Sequence, residues 1–220
     1  SHCAQEIIEA IVRALAPACP DRAMAGWGRR FRIAIKGDDP RNGQPFIWHM
    51  FHARPGAGAS SGGDGWHGSG EWHSTGGLKF EIVETRFPLY FRRHEYRANS
   101  GGSGRYTGGA GVDLDLEVET ATPCKVNAAG DGARHGAAGM LGGEDGAPHR
   151  YLLRAPGKRP RVLRTKEEGI EVPVGAVFEI HSAGGGGWGP PGEREQAAKD
   201  YDRRNGYTTK SGGKSSKAKA

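Results

Sequence analysis

The sequence predicts a mainly β fold with a few helices, an α+β class built from glycine-rich, turn-rich mixed or antiparallel sheets with an N-terminal amphipathic helix. Three observations carry this. Glycine fills 38 of the 220 positions, more than twice the usual share of about 7%. In a helix interior glycine costs about 1 kcal/mol relative to alanine, so a helical bundle is a poor use of it. The run Val112-Asp-Leu-Asp-Leu-Glu-Val-Glu119 alternates apolar and acidic residues without exception, the period of a strand with one face in a core. Near the start, Ile7, Ile8, Ile11, Val12 and Leu15 fall on one stripe of a helix spanning His2 to Ala16, which Pro17 and Pro20 end.

The remaining elements follow in order. Phe31, Ile33 and Ile35 alternate with polar residues, and Gly37 to Gly43 carries Asp-Asp-Pro-Arg-Asn-Gly turn chemistry before a second strand from Pro45 to His52. These two strands are expected to form a hairpin. From Ala53 to Gly77 small residues dominate, interrupted by Asp64, Trp66, His67, Glu71, Trp72 and His73, and a loop of that length in a compact domain is expected to work. Strand character is expected from Leu78 to Arg97, then a glycine turn from Asn99 to Gly111 and the alternating strand. Further strands are expected at Cys124 to Ala128, Arg150 to Arg154, Arg161 to Thr165 and Ala176 to His181. A short polar helix is expected from Glu195 to Arg203, with Pro190 and Pro191 at its start.

Charge and composition exclude several function classes. The formal charge is +6, of which residues 199 to 220 carry +5, so the body is nearly neutral and gives no sign of nucleic-acid binding. Residues 211 to 220 contain only Ser, Gly, Lys and Ala, a composition that cannot offset its ordering entropy, and are expected to be a disordered, solubilising tail. Cys3, Cys19 and Cys124 are odd in number and form no Cys-x-x-Cys pair, so neither a disulfide framework nor a zinc ribbon is expected. With no apolar run of about 18 residues and no basic-plus-apolar stretch resembling a signal peptide, no membrane partner is expected and the location is expected to be cytoplasmic.

The sequence lacks the Gly-x4-Gly-Lys-Ser/Thr phosphate loop, a strand-embedded Gly-x-Gly-x-x-Gly and a Gly-x-Ser-x-Gly elbow. The run Gly184 to Gly189 has glycines but no following Lys-Ser/Thr, and is expected to be a turn. Candidate substrate-binding residues are His49, His52, Asp64, His67, Glu71 and His73, because imidazoles and carboxylates concentrate there beside Trp66 and Trp72. His49 and His52 are three apart and point to opposite faces of a regular strand, so they do not converge on a metal. Any divalent metal is expected to be ligated mainly outside this chain. The carboxylate row of Asp113 to Glu119 projects in parallel and is expected to be a solvated face. Glu95 and Arg97 would share a strand face, Arg97 holding a carboxylate across the sheet or on a substrate. Gly101, Gly102, Gly104, Gly108 and Gly109 are expected to serve positive φ and close strand packing.

The run Glu84-Thr-Arg-Phe-Pro88-Leu-Tyr-Phe-Arg-Arg-His-Glu95-Tyr-Arg97-Ala-Asn-Ser100-Gly-Gly-Ser-Gly104-Arg-Tyr-Thr-Gly108-Gly-Ala-Gly111 closely resembles the signature of the hydantoinase B/oxoprolinase family. Upstream, the opening helix and Gly37-Asp-Asp-Pro-Arg-Asn-Gly-Gln-Pro-Phe46 are similar to that family's helix and hairpin. Downstream, Gly130-Asp-Gly-Ala-Arg134, Gly139-Met-Leu-Gly-Gly143-Glu-Asp-Gly-Ala-Pro148 and Ile180-His-Ser-Ala-Gly-Gly-Gly-Gly-Trp-Gly189 follow its later blocks in the same order.

The resemblance covers the C-terminal part of such proteins. It implies that residues 1–192 are the C-terminal part of a hydantoinase B-like subunit, with a polar extension over 193–210 and the basic tail over 211–220. It further implies a hydantoinase A-like ATPase partner that uses ATP and Mg2+, a second chain carrying the missing N-terminal half, and a small-molecule substrate whose carbonyl is activated by phosphorylation. Relatives open hydantoin, oxoproline or lactam rings, or carboxylate ketones. Where ring-opening members tend to carry a His-x-His-Met-Thr-Asn segment, this chain has Gly70-Glu-Trp-His73-Ser-Thr-Gly-Gly77, which moves the expectation towards ketone carboxylation or another substrate. The alternative is a non-catalytic assembly module of the same complex.

Overall fold

The computed structural model describes residues 4–69 and 79–209. In chain order it contains α1 (Ala4–Leu15), β1 (Phe31–Asp38), β2 (Pro45–His49), α2 (Phe80–Arg86), β3 (Leu89–Tyr96), β4 (Val112–Val118), β5 (Cys124–Gly130), β6 (Arg150–Arg154), β7 (Arg161–Val162), β8 (Lys166–Val172), β9 (Val177–His181) and α3 (Gln196–Arg204). The strands form two antiparallel sheets, β2-β1-β5-β8 and β3-β4-β9-β6-β7. This is the α+β, mainly β architecture that the composition called for.

The inner faces of both sheets share one core. Period-two alternation supplies it: Ile33 and Ile35 from β1, Leu114, Leu116 and Val118 from β4, Val126 from β5, and Phe178 and Ile180 from β9 are all buried in a single cluster. Burying a side chain of this size contributes about 1.5–3 kcal/mol. The expected β1–β2 hairpin is present, with Ile35 opposite Trp48 and Asp39 accepting from the Arg41 side chain across the turn. The acidic face of β4 is more than a solvated row. Asp113 and Asp115 pair with Arg93, and Glu117 with Arg92, across the β3–β4 ladder.

Four elements differ from the sequence expectation. Residues Phe80–Arg86 form α2, where a strand was expected from Leu78 onward; Phe80 and Val83 lie one helical turn apart, Val83 is fully buried, and Glu84 Oε1 accepts from the Phe91 N–H. Pro88 ends this helix by forcing Phe87 into an extended conformation, with φ −128° and ψ 150°. β8 was not expected, because only Ile170 and Val172 of Lys166–Val172 are buried and Gly169 sits at φ +63°. That glycine faces a register shift in β5, and its N–H donates to Asn127 Oδ1 at 2.8 Å. β2 stops at His49 and β7 is only two residues long, both shorter than expected.

The largest departure is in the glycines. Residues 184–189 are not a turn but the centre of a bundle of backbone segments. Their amides donate, in order, to the carbonyls of Ala147, Gly109, Gly26, Glu144, Tyr106 and Met140 at 2.8–3.1 Å, while their own carbonyls accept from Ala59 and Gly102 among others. A strand bonds to neighbours on two sides; this segment bonds in several directions. A Cβ on Gly184 would lie 1.8 Å from the Ser100 carbonyl oxygen, and one on Gly185 1.8 Å from that of Ala57. The expectation of positive φ at Gly101, Gly102, Gly104, Gly108 and Gly109 is corrected: none takes it, and all five sit where a Cβ would meet backbone within 2.6 Å. Residues 53–69, expected as a long loop, thread this bundle.

His149 sits where bundle and sheets meet. Its Nδ1 accepts from the Ala183 N–H at 3.0 Å and its Nε2–H donates to the Arg29 carbonyl, while its ring stacks on Tyr151 of the core. Burial holds this imidazole down to about 3, so it stays neutral as a fixed donor and acceptor. Arg97 gives its guanidinium to the Pro148 and Ser182 carbonyls, both at 2.9 Å; it ties the same region together and holds no carboxylate there. Among the described residues Cys19 and Cys124 are free thiols, and no helix is long and apolar enough to cross a membrane. Cys3, Leu78 and the tail 211–220 lie outside the described residues.

Candidate functional site

The segment that follows β2, the start of α2 and the end of β3 border an open pocket of about 530 Å³ lined by His52, Arg54, Gly68, Phe80, His94, Glu95, Tyr96 and Val112, with His94, Glu95 and Tyr96 exposed at the end of β3. Its size matches a small organic ligand. His52 arrives there because β2 stops at His49 and the chain turns inward, so that its buried ring packs against Phe80, Phe91 and Trp48 at centroid distances of 5.0, 5.1 and 5.8 Å. α2 brings Phe80 over the His94 ring, 4.7 Å away. His94 Nε2 donates to the His52 carbonyl at 3.2 Å. Loss of hydration among these rings holds His94 below its ordinary value, with the Arg54 cation pushing the same way.

His67 stands behind the Tyr96 wall. Its Nδ1 accepts from the Ala110 N–H at 2.8 Å, which places the proton of the neutral ring on Nε2, and it contacts Tyr207 and Tyr96 at 3.9 and 5.4 Å. Burial lowers its pKa, opposed by Asp202 and Asp64. Asp64 does not line the cavity. It accepts from the Thr107 N–H and from Arg194 at 2.7 and 2.9 Å, and Arg194 also reaches Asp202 of α3 at 2.7 Å. Asn99 and Thr209 add two further bonds. Residues 193–209 therefore fasten the loop that carries His67 and Gly68.

Of the sequence candidates, His52 lies in the cavity, His67 and Asp64 support its wall, and His49 is exposed on β2 against Phe51, away from it. Glu71 and His73, with the rest of Gly70 to Gly77, lie outside the described residues. Sequence reasoning missed Arg54, Phe80, His94, Glu95 and Tyr96 as lining residues. Arg92-Arg93-His94-Glu95 was a visible concentration of titratable groups at a strand end, but nothing in its spacing points to residues 52–54 or to Phe80.

The arrangement offers two imidazoles, a guanidinium and a carboxylate beside an aromatic wall. A neutral imidazole can take or give a proton near neutral pH, and a guanidinium can balance an oxyanion or phosphoryl oxygen. Among the described residues no group of three His, Cys, Asp or Glu could hold a metal ion. Nor do residues 184–189 fit a nucleotide phosphate, since all six amides are already given to backbone carbonyls. A second polar cluster, on the five-stranded sheet, is of a different kind. His181 has Asp113 Oδ1 2.6 Å from Nδ1 and Glu179 Oε1 2.9 Å from Nε2, an arrangement of two carboxylates that favours the protonated ring. The Asp113 hydrogen bond raises its pKa.

These features have relatives. The chain is 31% identical to the caprolactamase subunit beta of Pseudomonas jessenii over 225 residues, covering 93% of this chain and 36% of that protein. It is 32% identical over 128 residues to 5-oxoprolinase 1 of Arabidopsis thaliana, covering 54% of this chain and 10% of that one. The crystal structure of the ATP-dependent caprolactamase from Pseudomonas jessenii superposes with a TM-score of 0.74 at 26% identity, over 91% of this chain and 36% of the other. A nucleotide-free acetone carboxylase structure shares the fold, with a TM-score of 0.73 at 21% identity over 93% and 32%. The chain thus spans about a third of the caprolactamase subunit and of both solved chains. The hydantoinase B/oxoprolinase family model matches residues 1–191, so the ordered sequence blocks have one explanation: the chain belongs to the hydantoinase B/oxoprolinase family.

Proposed function

We propose that this chain is a non-ATPase component of a hetero-oligomeric, ATP-dependent enzyme acting on an activated carbonyl, either opening a hydantoin, oxoproline or lactam ring or carboxylating a ketone. The observation that carries the reading is the cavity that places His52, Arg54, His94 and Glu95 against an aromatic wall within a chain of this family. Arg54 balances negative charge on the carbonyl end of the substrate, a neutral His94 handles a proton there, and Phe80 and Tyr96 hold the apolar body. ATP is used by a hydantoinase A-like partner, a reading supported by the fully consumed amides of residues 184–189. A second chain supplies the N-terminal half of the subunit, and any divalent metal is held mainly by these other chains. The work takes place in the cytoplasm.

The test is to purify the assembly through a tag on this chain and identify every chain by native mass spectrometry. ATP turnover is then followed with a lactam, with oxoproline and with a ketone plus bicarbonate. One of these substrates should stimulate ATP hydrolysis. His94→Ala should then lower turnover by about a hundredfold with the assembly intact. Undiminished turnover in that variant, or a wild-type assembly that hydrolyses ATP with none of the three, refutes the proposal.

A further inference from the structure

Helix α1 is inside out. Its apolar stripe does not face the body of the protein: Ile7, Ile11 and Leu15 are 57%, 54% and 59% exposed, and Ile8 is exposed beside them. The buried residues are polar, Gln5 and Glu9, at 2% and 3% exposure. Glu9 Oε2 meets Arg29 Nη1 at 2.5 Å, and its other oxygen lies close to Gly26, where a Cβ would stand 3.0 Å from it. This contact fixes the helix about its axis. Turning the apolar stripe inward would carry Glu9 out of its half-buried pair and leave Arg29 without that partner.

Ile7, Ile11 and Leu15 are four residues apart and form a ridge, and Ala10 and Ala14, exposed beside it, leave a furrow. A ridge at that spacing next to a furrow is the surface that another helix packs against. The same face does not suit a lipid surface, because the helix carries Glu6, Glu9 and a single Arg13 in place of a basic polar face. The chain also spans only 36% of the caprolactamase subunit beta and 32–36% of the two solved chains it resembles. Resting on the reading of the chain as one part of a larger assembly, we propose that the outward face of α1 is the docking surface for the polypeptide that supplies the rest of the family's length, which covers it with an apolar helix.

The experiment uses the tagged full chain expressed in its own source, with native mass spectrometry of what it carries. Wild type should carry a chain whose sequence matches the part of the family that residues 1–191 do not span. Ile11→Asp should lower its retention about thirtyfold or more, the loss expected for a central interface anchor. Ile47→Asp, on the exposed edge of β2 at 63% exposure, should leave it unchanged. Both variants should keep the wild-type circular dichroism of this chain, since neither side chain is buried. Equal retention by Ile11→Asp overturns the proposal. So does a wild-type homodimer that Ile11→Asp dissolves, which assigns the face to a second copy, and so does flotation of the wild type with phosphatidylserine vesicles. An intact Ile11→Asp assembly that still turns over lactam or ketone with ATP would overturn the docking surface alone. An assembly lost in Ile11→Asp, but inactive on every such substrate as wild type, would overturn the enzymatic reading alone.

Discussion

The paired sheets and the glycine bundle are held by opposite means. In the sheets, side chains fill the space between two layers, and Leu114, Leu116, Val118 and Phe178 have no exposed surface at all. In the bundle no side chain can stand between the segments, because a Cβ on Gly136, Gly184 or Gly185 would lie 1.7–1.8 Å from a carbonyl oxygen. Backbone hydrogen bonds take over the cohesion, and every amide from Gly184 to Gly189 is given to another segment. The sheets should therefore tolerate lost volume and the bundle should not tolerate added volume.

The largest effect should come from adding one methyl to the bundle. Gly185→Ala has to displace the Ala57 backbone, and the variant should yield no cooperatively folded protein in thermal unfolding. Gly192→Ala, with nothing within 4 Å of the added Cβ, should stay within about 0.5 kcal/mol of wild type. A folded Gly185→Ala protein of normal stability would end the contrast. Next comes removal of volume from the sheets: Leu114→Ala should lose about 2–5 kcal/mol in denaturant titration yet keep the fold.

A smaller effect tests how the bundle's flank is fastened. Arg194→Ala removes the bonds to Asp64 and Asp202 and should destabilise by about 1.5–3 kcal/mol. Hydrogen exchange should rise over 64–69 and 196–204 and remain unchanged in β4. Equal loosening of both regions would show that the two are not separate units of stability.

The smallest effects are titrations, and they have opposite signs. His149 is held far below its unfolded value of about 6.5 by burial, at about 3. The unfolded chain then binds the extra proton, so the stability that His149 contributes is present above about pH 6.5 and is lost as pH falls towards 3. His181, raised chiefly by its Asp113 hydrogen bond, contributes stability that is full below about pH 6.5 and is lost as pH rises through its higher folded value. Imidazole NMR should show His149 neutral and His181 protonated at pH 6.5. His181→Gln should flatten the alkaline side of the stability profile and leave the acid side as it is. A neutral His181 at pH 6.5 would contradict its place between two carboxylates.

Much of the architecture was legible because it rests on local period. β4 could be read from Val112 to Val118 since each inward residue is two from the next, and α1 from a stripe at helical spacing. α2 was misread because seven residues holding one buried side chain, Val83, display too little period to separate helix from strand. The cavity was legible only in part. His52 stood out as a histidine near other polar residues, whereas Arg54, Phe80 and His94 come together through the turn after β2 and the placement of α2.

The mainly β class, the order of most elements and the family follow from residue types and from spacings within one segment, and so does the importance of the glycines. Why those glycines matter, which face of α1 is covered, and which side chains share a pocket are settled only by folding. Each of these depends on distances between segments far apart in the chain. Gly185 against Ala57, Glu9 against Arg29 and His94 against His52 are such pairs, and neither hydrophobic period nor composition encodes a contact across such a separation.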